Sequence, residues 1–124
     1  MMKKIVTEKA PGAIGPYCQG VVHGDLVITS GQIPVDPKTG FVPEGIARQA
    51  EQSCQNVGAV LEAGGSDFAH VLKTTCFLAS MDDFAAFNEV YGKYFVSNPA
   101  RSCVSVKTLP KGVLCEIEAT AEIK

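Results

Sequence analysis

No two cysteines in this sequence form a Cys-x-x-Cys pair, and no apolar run reaches membrane-spanning length. Cys18, Cys54, Cys76, Cys103 and Cys115 are odd in number and scattered. That usage argues against a disulfide framework or a zinc site and for free thiols in a reducing, cytoplasmic setting. The opening residues run into charged Glu8 and Lys9, so neither a signal peptide nor a membrane anchor is expected. Arginine and histidine occur twice each, and the formal net charge is −2. A polyanion-binding face would have to be local, so this balance does not point to nucleic acid. Repeats, low-complexity tracts and linkers are absent too.

What is present fits one domain over residues 1–124, with 46% hydrophobic and 19% charged residues. A chain of this size buries about two-thirds of its unfolded surface, enough for a core without staples. Strands are expected over 3–7, 17–23 and 26–32, the last two joined by the hairpin signal Gly24-Asp25. Residues 34–43 are turn-rich. A helix is expected over 46–63, where Ile46, Ala50, Ser53, Val57, Val60 and Leu61 recur at helical spacing before Gly64-Gly65. Residues 71–79 read as a short, well-buried strand. A second helix is expected from Ser80, with Asp83 completing an acidic capping box. Phe84, Phe87, Tyr91, Tyr94 and Phe95 form its apolar stripe, read as core, and Pro99 blocks continuation.

The last third alternates strictly. Cys115, Ile117, Ala119 and Ala121 fall on one side, and Glu116, Glu118, Thr120 and Glu122 on the other. With a four-residue turn at Leu109-Pro110-Lys111-Gly112, Val106 would face Cys115 and Val104 would face Ile117, aligning two apolar faces in a hairpin. Arg101, Cys103 and Glu116 would then share the polar face. Arg101 would sit opposite Thr120, roughly 13 Å along the strand from Glu116. The expected class is α+β: one mixed sheet with two helices covering one side.

Few residues are candidates for chemistry. Arg48 lies between Glu44 and Glu51 at helical spacing, which reads as a solvated, ion-paired face. Arg101 follows Pro99-Ala100 and opens a strand, so its fork of donors suits a carboxylate or phosphate. An ion pair between subunits would explain it equally well. Glu116, flanked by Cys115 and Ile117, is either a carboxylate able to orient water or a solvated edge residue. Cys103 as a nucleophile would need a partner that lowers its pKa, and Arg101 is the only cation close by. Ser30 and Gly31 end a strand with small residues that would let a ligand approach the backbone, or simply permit a bulge. Asn88 lies within the aromatic helix.

Taken together these residues resemble the Rid family of reactive-intermediate imine deaminases, also called the YjgF or L-PSP family. The resemblance runs over essentially the full length. Its most specific part is Pro99-Ala100-Arg101-Ser102-Cys103-Val104, then Leu109-Pro110-Lys111-Gly112 and Glu116-Ile117-Glu118. Ala13-Ile14-Gly15-Pro16-Tyr17, Thr29-Ser30-Gly31-Gln32 and Phe87-Asn88 also fit in order. The resemblance implies a chorismate mutase-like fold assembled as a homotrimer with clefts between subunits. It implies hydrolysis of 2-iminobutanoate and 2-iminopropanoate to 2-oxo acids and ammonia, without metal or cofactor. Carried over by position, Arg101 would clamp the substrate carboxylate and Glu116 would orient the attacking water. Tyr17, Ser30, Gly31, Asn88 and the backbone at Cys103 would line the pocket. The run from Tyr94 to Pro99 looks shorter than is usual for the family, which would reshape the cleft rim. Two other functions stay open: a non-catalytic metabolite-binding trimer, and the ribonuclease or translation-inhibitor activity of the older label.

Overall fold

The computed structural model describes all of residues 1–124. Six strands form one sheet: β1 (Met2–Ile5), β2 (Gly20–His23), β3 (Leu26–Thr29), β4 (Val71–Leu78), β5 (Ala100–Ser105) and β6 (Cys115–Glu122). Their order across the sheet is β1-β2-β3-β6-β4-β5. Every neighbouring pair is antiparallel except β4 and β5, which run parallel. The sheet is therefore mixed, as expected. Two helices, α1 (Ile46–Ala63) and α2 (Phe84–Tyr94), cover one of its faces.

The connections explain the order. Each helix carries the chain back along the sheet, so the strand after it runs parallel to the strand before it. α1 returns the chain from β3 to β4, and α2 returns it from β4 to β5. The last strand, β6, slots antiparallel between β3 and β4. The expected hairpin of the final third is consequently absent. β4 lies between β5 and β6, pairing Cys76 with Cys103 on one side and with Ile117 on the other. The alternation of β6 accommodates any strand with a matching apolar face. Val71, Thr74, Cys76 and Leu78 give β4 that face, and all four are buried.

The core lies between sheet and helices. Ala50, Cys54, Val57, Val60 and Leu61 on α1 are fully buried against Val27, Cys76, Leu78, Cys115 and Ile117 of the sheet. α2 contributes Phe87 and Tyr91, followed by Phe95, which stack at 5.8 and 4.4 Å between successive ring centroids. Asn56 is buried on α1, and its amide donates to the carbonyls of Ile33 and Val35 at 3.0 Å each. That pair ties the turn-rich segment down over α1. The other face of the sheet carries no helix and exposes Leu26, Ile28, Val104 and Glu118. No helix is long and apolar enough to cross a membrane.

Candidate functional site

Arg101 sits on β5, the strand at one edge of the sheet. Its register partner on β4 is Thr74, which is buried beneath the helices. Side chains paired across neighbouring strands share a face, so Arg101 and Cys103 point toward α2. Ser102 and Val104 take the open face instead. This reverses the sequence expectation for β5, because its true neighbour is β4 rather than β6. The guanidinium lies over the Tyr91 ring at 4.8 Å and near the Phe84 ring at 5.5 Å. Nη1 donates to Oδ1 of Asn88 at 2.7 Å. Phe84, Asn88 and Tyr91 are four and three residues apart and so form one stripe of α2. A crevice of about 300 Å³ opens here, walled by Asn88, Tyr91, Gly92, Asn98 and Pro99.

The only salt bridges in the chain join Asp67 to His70 and Lys124. Arg101 is therefore a cation with no carboxylate partner, and most of its five donors remain free. Arg48 likewise lacks the ion pairs its spacing suggested.

Glu116 lies on β6, on the open face, where its neighbour across β4 is Phe77. It is half-buried, and burial pushes its carboxyl above the usual carboxylate range, with the nearby charge of Glu118 adding to the rise. No cation or hydrogen-bond donor of this chain engages it. Its carboxyl rests against Gly31, where a Cβ would come within 2.9 Å of the carboxyl carbon. Gln32 exchanges two backbone hydrogen bonds with Ile117, of 2.7 and 3.2 Å, holding this loop against β6. The amides of Ser30 and Gln32 are engaged by the carbonyls of Gln19 and Ile117, whereas that of Gly31 has no partner. Ser30 Oγ donates to the Cys18 carbonyl at 2.6 Å. Tyr17 is exposed, and its hydroxyl accepts from the Ile14 amide at 3.4 Å. Tyr17, Gly31, Gln32, Ile33 and Lys111 border a cavity of about 500 Å³.

The candidate residues thus fall into two groups. Arg101 and Asn88 meet at the sheet edge, with Cys103 beside them; Glu116 and Gly31 meet on the open face, near Ser30 and Tyr17. Two strand spacings and three residues of rise separate the α-carbons of Arg101 and Glu116 by roughly 14 Å, and the side chains point to opposite faces. The expected separation survives, but it arises from the intervening β4 together with a three-residue offset along it, and not from an offset within a hairpin. The shared polar face does not survive. Burial raises the Cys103 thiol, and the nearby Arg101 only partly offsets this, so it lacks the ready thiolate that nucleophilic chemistry needs. Tyr91 and Phe84 went unrecognised as site residues because their stripe was fully accounted for as core. Their spacing from Asn88 was the available signal.

Comparison with known proteins places this geometry in context. The family model described as Endoribonuclease L-PSP matches residues 7–123. The 2-iminobutanoate/2-iminopropanoate deaminase of Salmonella typhimurium is 54% identical over 125 residues, covering 98% of each chain. Among solved structures, Escherichia coli TdcF with bound serine superposes with a TM-score of 0.95 at 48% identity, over 98% of this chain and 99% of that one. The Escherichia coli YjgF gene product gives 0.94 at 52% identity, over 98% and 99%. With a matching family model over nearly its whole length, and relatives more than half identical, the chain belongs to the L-PSP (YjgF) family, as its motifs suggested.

Proposed function

We propose that the protein hydrolyses small 2-imino acids, such as 2-iminobutanoate and 2-iminopropanoate, to 2-oxo acids and ammonia. The observation that carries this reading is Arg101: a guanidinium held by an amide and two rings, with no carboxylate to neutralise it. Such a group is suited to a substrate carboxylate, and one charge-assisted pair contributes about 1.5–3 kcal/mol. The naming of close relatives as deaminases of these imines supports the same conclusion.

The chemistry asks mainly for position and proton management. With the carboxylate on Arg101, the electrophilic carbon of the imine is fixed. Glu116 accepts a proton from water as the water oxygen bonds to that carbon and the C=N electron pair moves to nitrogen. That proton passes to nitrogen to give a carbinolamine; Glu116 then takes the hydroxyl proton and returns it to nitrogen as the C=O bond forms and the C–N bond breaks, so that ammonia leaves the 2-oxo acid. A carboxyl held above the usual range suits both halves of that exchange. In this reading Tyr17, Ser30 and Gly31 border the water side of the cleft, with Asn88 and the Cys103 backbone on the carboxylate side.

Arg101 and Glu116 of one chain cannot reach one four-carbon substrate. The proposal therefore includes a cyclic homotrimer in which each cleft takes Arg101 from one subunit and Glu116 from its neighbour. Side chains of the protein supply every role, so the proposed reaction invokes no metal or cofactor. Ribonuclease chemistry finds less support. His23 stands at the end of β2 while His70 is engaged by Asp67 at 2.6 Å, and neither joins Arg101 or Glu116. The direct test couples the protein to a threonine dehydratase that releases 2-iminobutanoate. Wild-type protein should speed 2-oxobutanoate formation and reduce semicarbazide trapping of the imine. Arg101→Ala should lower kcat/KM about ten- to hundred-fold. Equal activity of the two proteins would refute the assignment.

A further inference from the structure

We propose that Tyr91 is the positioning residue of the Arg101 clamp, its ring face fixing the plane of the guanidinium while leaving the positive charge available. This rests on Arg101 serving as the carboxylate clamp.

An arginine at the edge of a sheet can be immobilised in several ways. A carboxylate partner would orient it but would also compete with an anionic substrate. A single amide contact, such as that from Asn88, fixes one N–H and leaves the fork free to turn about that bond. A ring face removes the remaining freedom, since a cation stacked on an aromatic ring keeps its in-plane donors pointing outward. The guanidinium carbon sits 4.8 Å from the Tyr91 centroid, well inside the range for such attraction.

Tyr91 is itself held on three sides. Its hydroxyl is 2.7 Å from Oγ1 of Thr74, and its ring packs closely on Phe95 at 4.4 Å and more loosely beside Phe87 at 5.8 Å. Thr74 is also the residue directly across from Arg101 in the β4–β5 register. The strand position beside Arg101 thus carries the side chain that bonds the ring beneath it. Phe84, two turns earlier on α2, is farther away at 5.5 Å and only partly buried, so it closes the cradle without setting its angle. Tyr91 touches no reacting atom in this scheme. It acts by sparing Arg101 the loss of rotamer freedom on binding, which belongs in KM and not in kcat.

The chain has two arginines, Arg48 and Arg101, so protein labelled with ¹⁵N-arginine gives only two side-chain Nε–H signals. In the wild type, the ring current displaces the Arg101 signal from that of Arg48. Tyr91→Phe, which keeps the ring but loses the Thr74 bond, should keep this displacement and raise KM far less than Tyr91→Leu does; Tyr91→Leu should abolish the displacement. In Tyr91→Leu, KM for the imine and Kd for 2-oxobutanoate should rise together by on the order of ten-fold, with kcat unchanged. A fall in kcat at unchanged KM, or equal effects of Leu and Phe, overturns the proposal. Should Tyr91→Leu fail to fold, phenylalanine and its mono-, di- and pentafluorinated forms at position 91 decide the matter. They preserve shape while draining the ring face, so KM should climb stepwise at constant Tm, and a flat series overturns the idea. If the wild type binds 2-oxobutanoate through Arg101 but turns over no imine, the deaminase reading falls while the Kd series still judges Tyr91. Binding indifferent to Arg101→Ala removes the clamp and this proposal with it.

Discussion

A carboxyl that loses part of its water and gains no partner holds its proton more tightly than one in solution. Glu116 is in that position, half-buried beside Glu118 with Gly31 against its carboxyl. The consequence for turnover has a definite sign. If Glu116 must be ionised to draw a proton from water, activity falls as pH drops through its raised pKa, above the ordinary range near 4.3. Glu116→Gln should bind 2-oxobutanoate with close to wild-type Kd, lose about two to four decades of kcat, and show no acid limb in what remains. A pH profile of kcat for both proteins checks this. A limb that persists in Glu116→Gln would assign the titration elsewhere. At this scale the sequence was partly legible. Arg101 and Glu116 stood out because arginine is scarce and because β6 alternates so cleanly. The Phe84–Asn88–Tyr91 cradle did not stand out, since an aromatic stripe on a helix is already explained by burial, and sequence cannot show which ring a cation will cover.

At the scale of elements, local signals located the pieces and failed on one adjacency. The expected helix over 46–63 coincides with α1, and β4 ends within a residue of its expected limit. The strands around Gly24-Asp25 are shorter than expected because regular pairing stops at Gly20 and Thr29, beyond which the chain keeps only isolated contacts such as Ser30 with Gln19 and Gln32 with Ile117. The hairpin between β5 and β6 was misread because period-two alternation specifies a face and not a neighbour. The helical crossover is what decides: α2 delivers β5 parallel to β4, and β6 then fills the other side of β4. This arrangement rests on α1, whose Leu61 is fully buried. Leu61→Ala should cost about 2–5 kcal/mol and lower Tm, measured by thermal unfolding, without moving either half of the site. Unchanged Tm would mean that α1 contributes far less to the core than its burial indicates.

At the scale of the whole molecule, the open face and the separation of Arg101 from Glu116 raise the same question, because in the proposed reaction one chain could not bring clamp and base to the same substrate. The proposed cyclic assembly would answer it, with each cleft using two neighbours, and this makes a quantitative prediction for mixtures. In the proposed reaction Arg101→Ala trimers lack the clamp and Glu116→Ala trimers lack the base, so each alone should fall at least about ten-fold below wild type. After random reassembly of equal amounts, about three-quarters of trimers contain both kinds of subunit. Going round any such ring, only one junction places an intact Arg101 next to an intact Glu116. Each mixed trimer therefore regains one cleft of three, and the mixture should recover about a quarter of wild-type activity. Native mass spectrometry would verify the exchange independently of the assay. Mixed trimers present in the expected proportions, yet without activity, would mean that clamp and base must come from the same chain. That outcome would require β5 to leave the edge of β4, and with it the sheet order on which the two-subunit cleft depends.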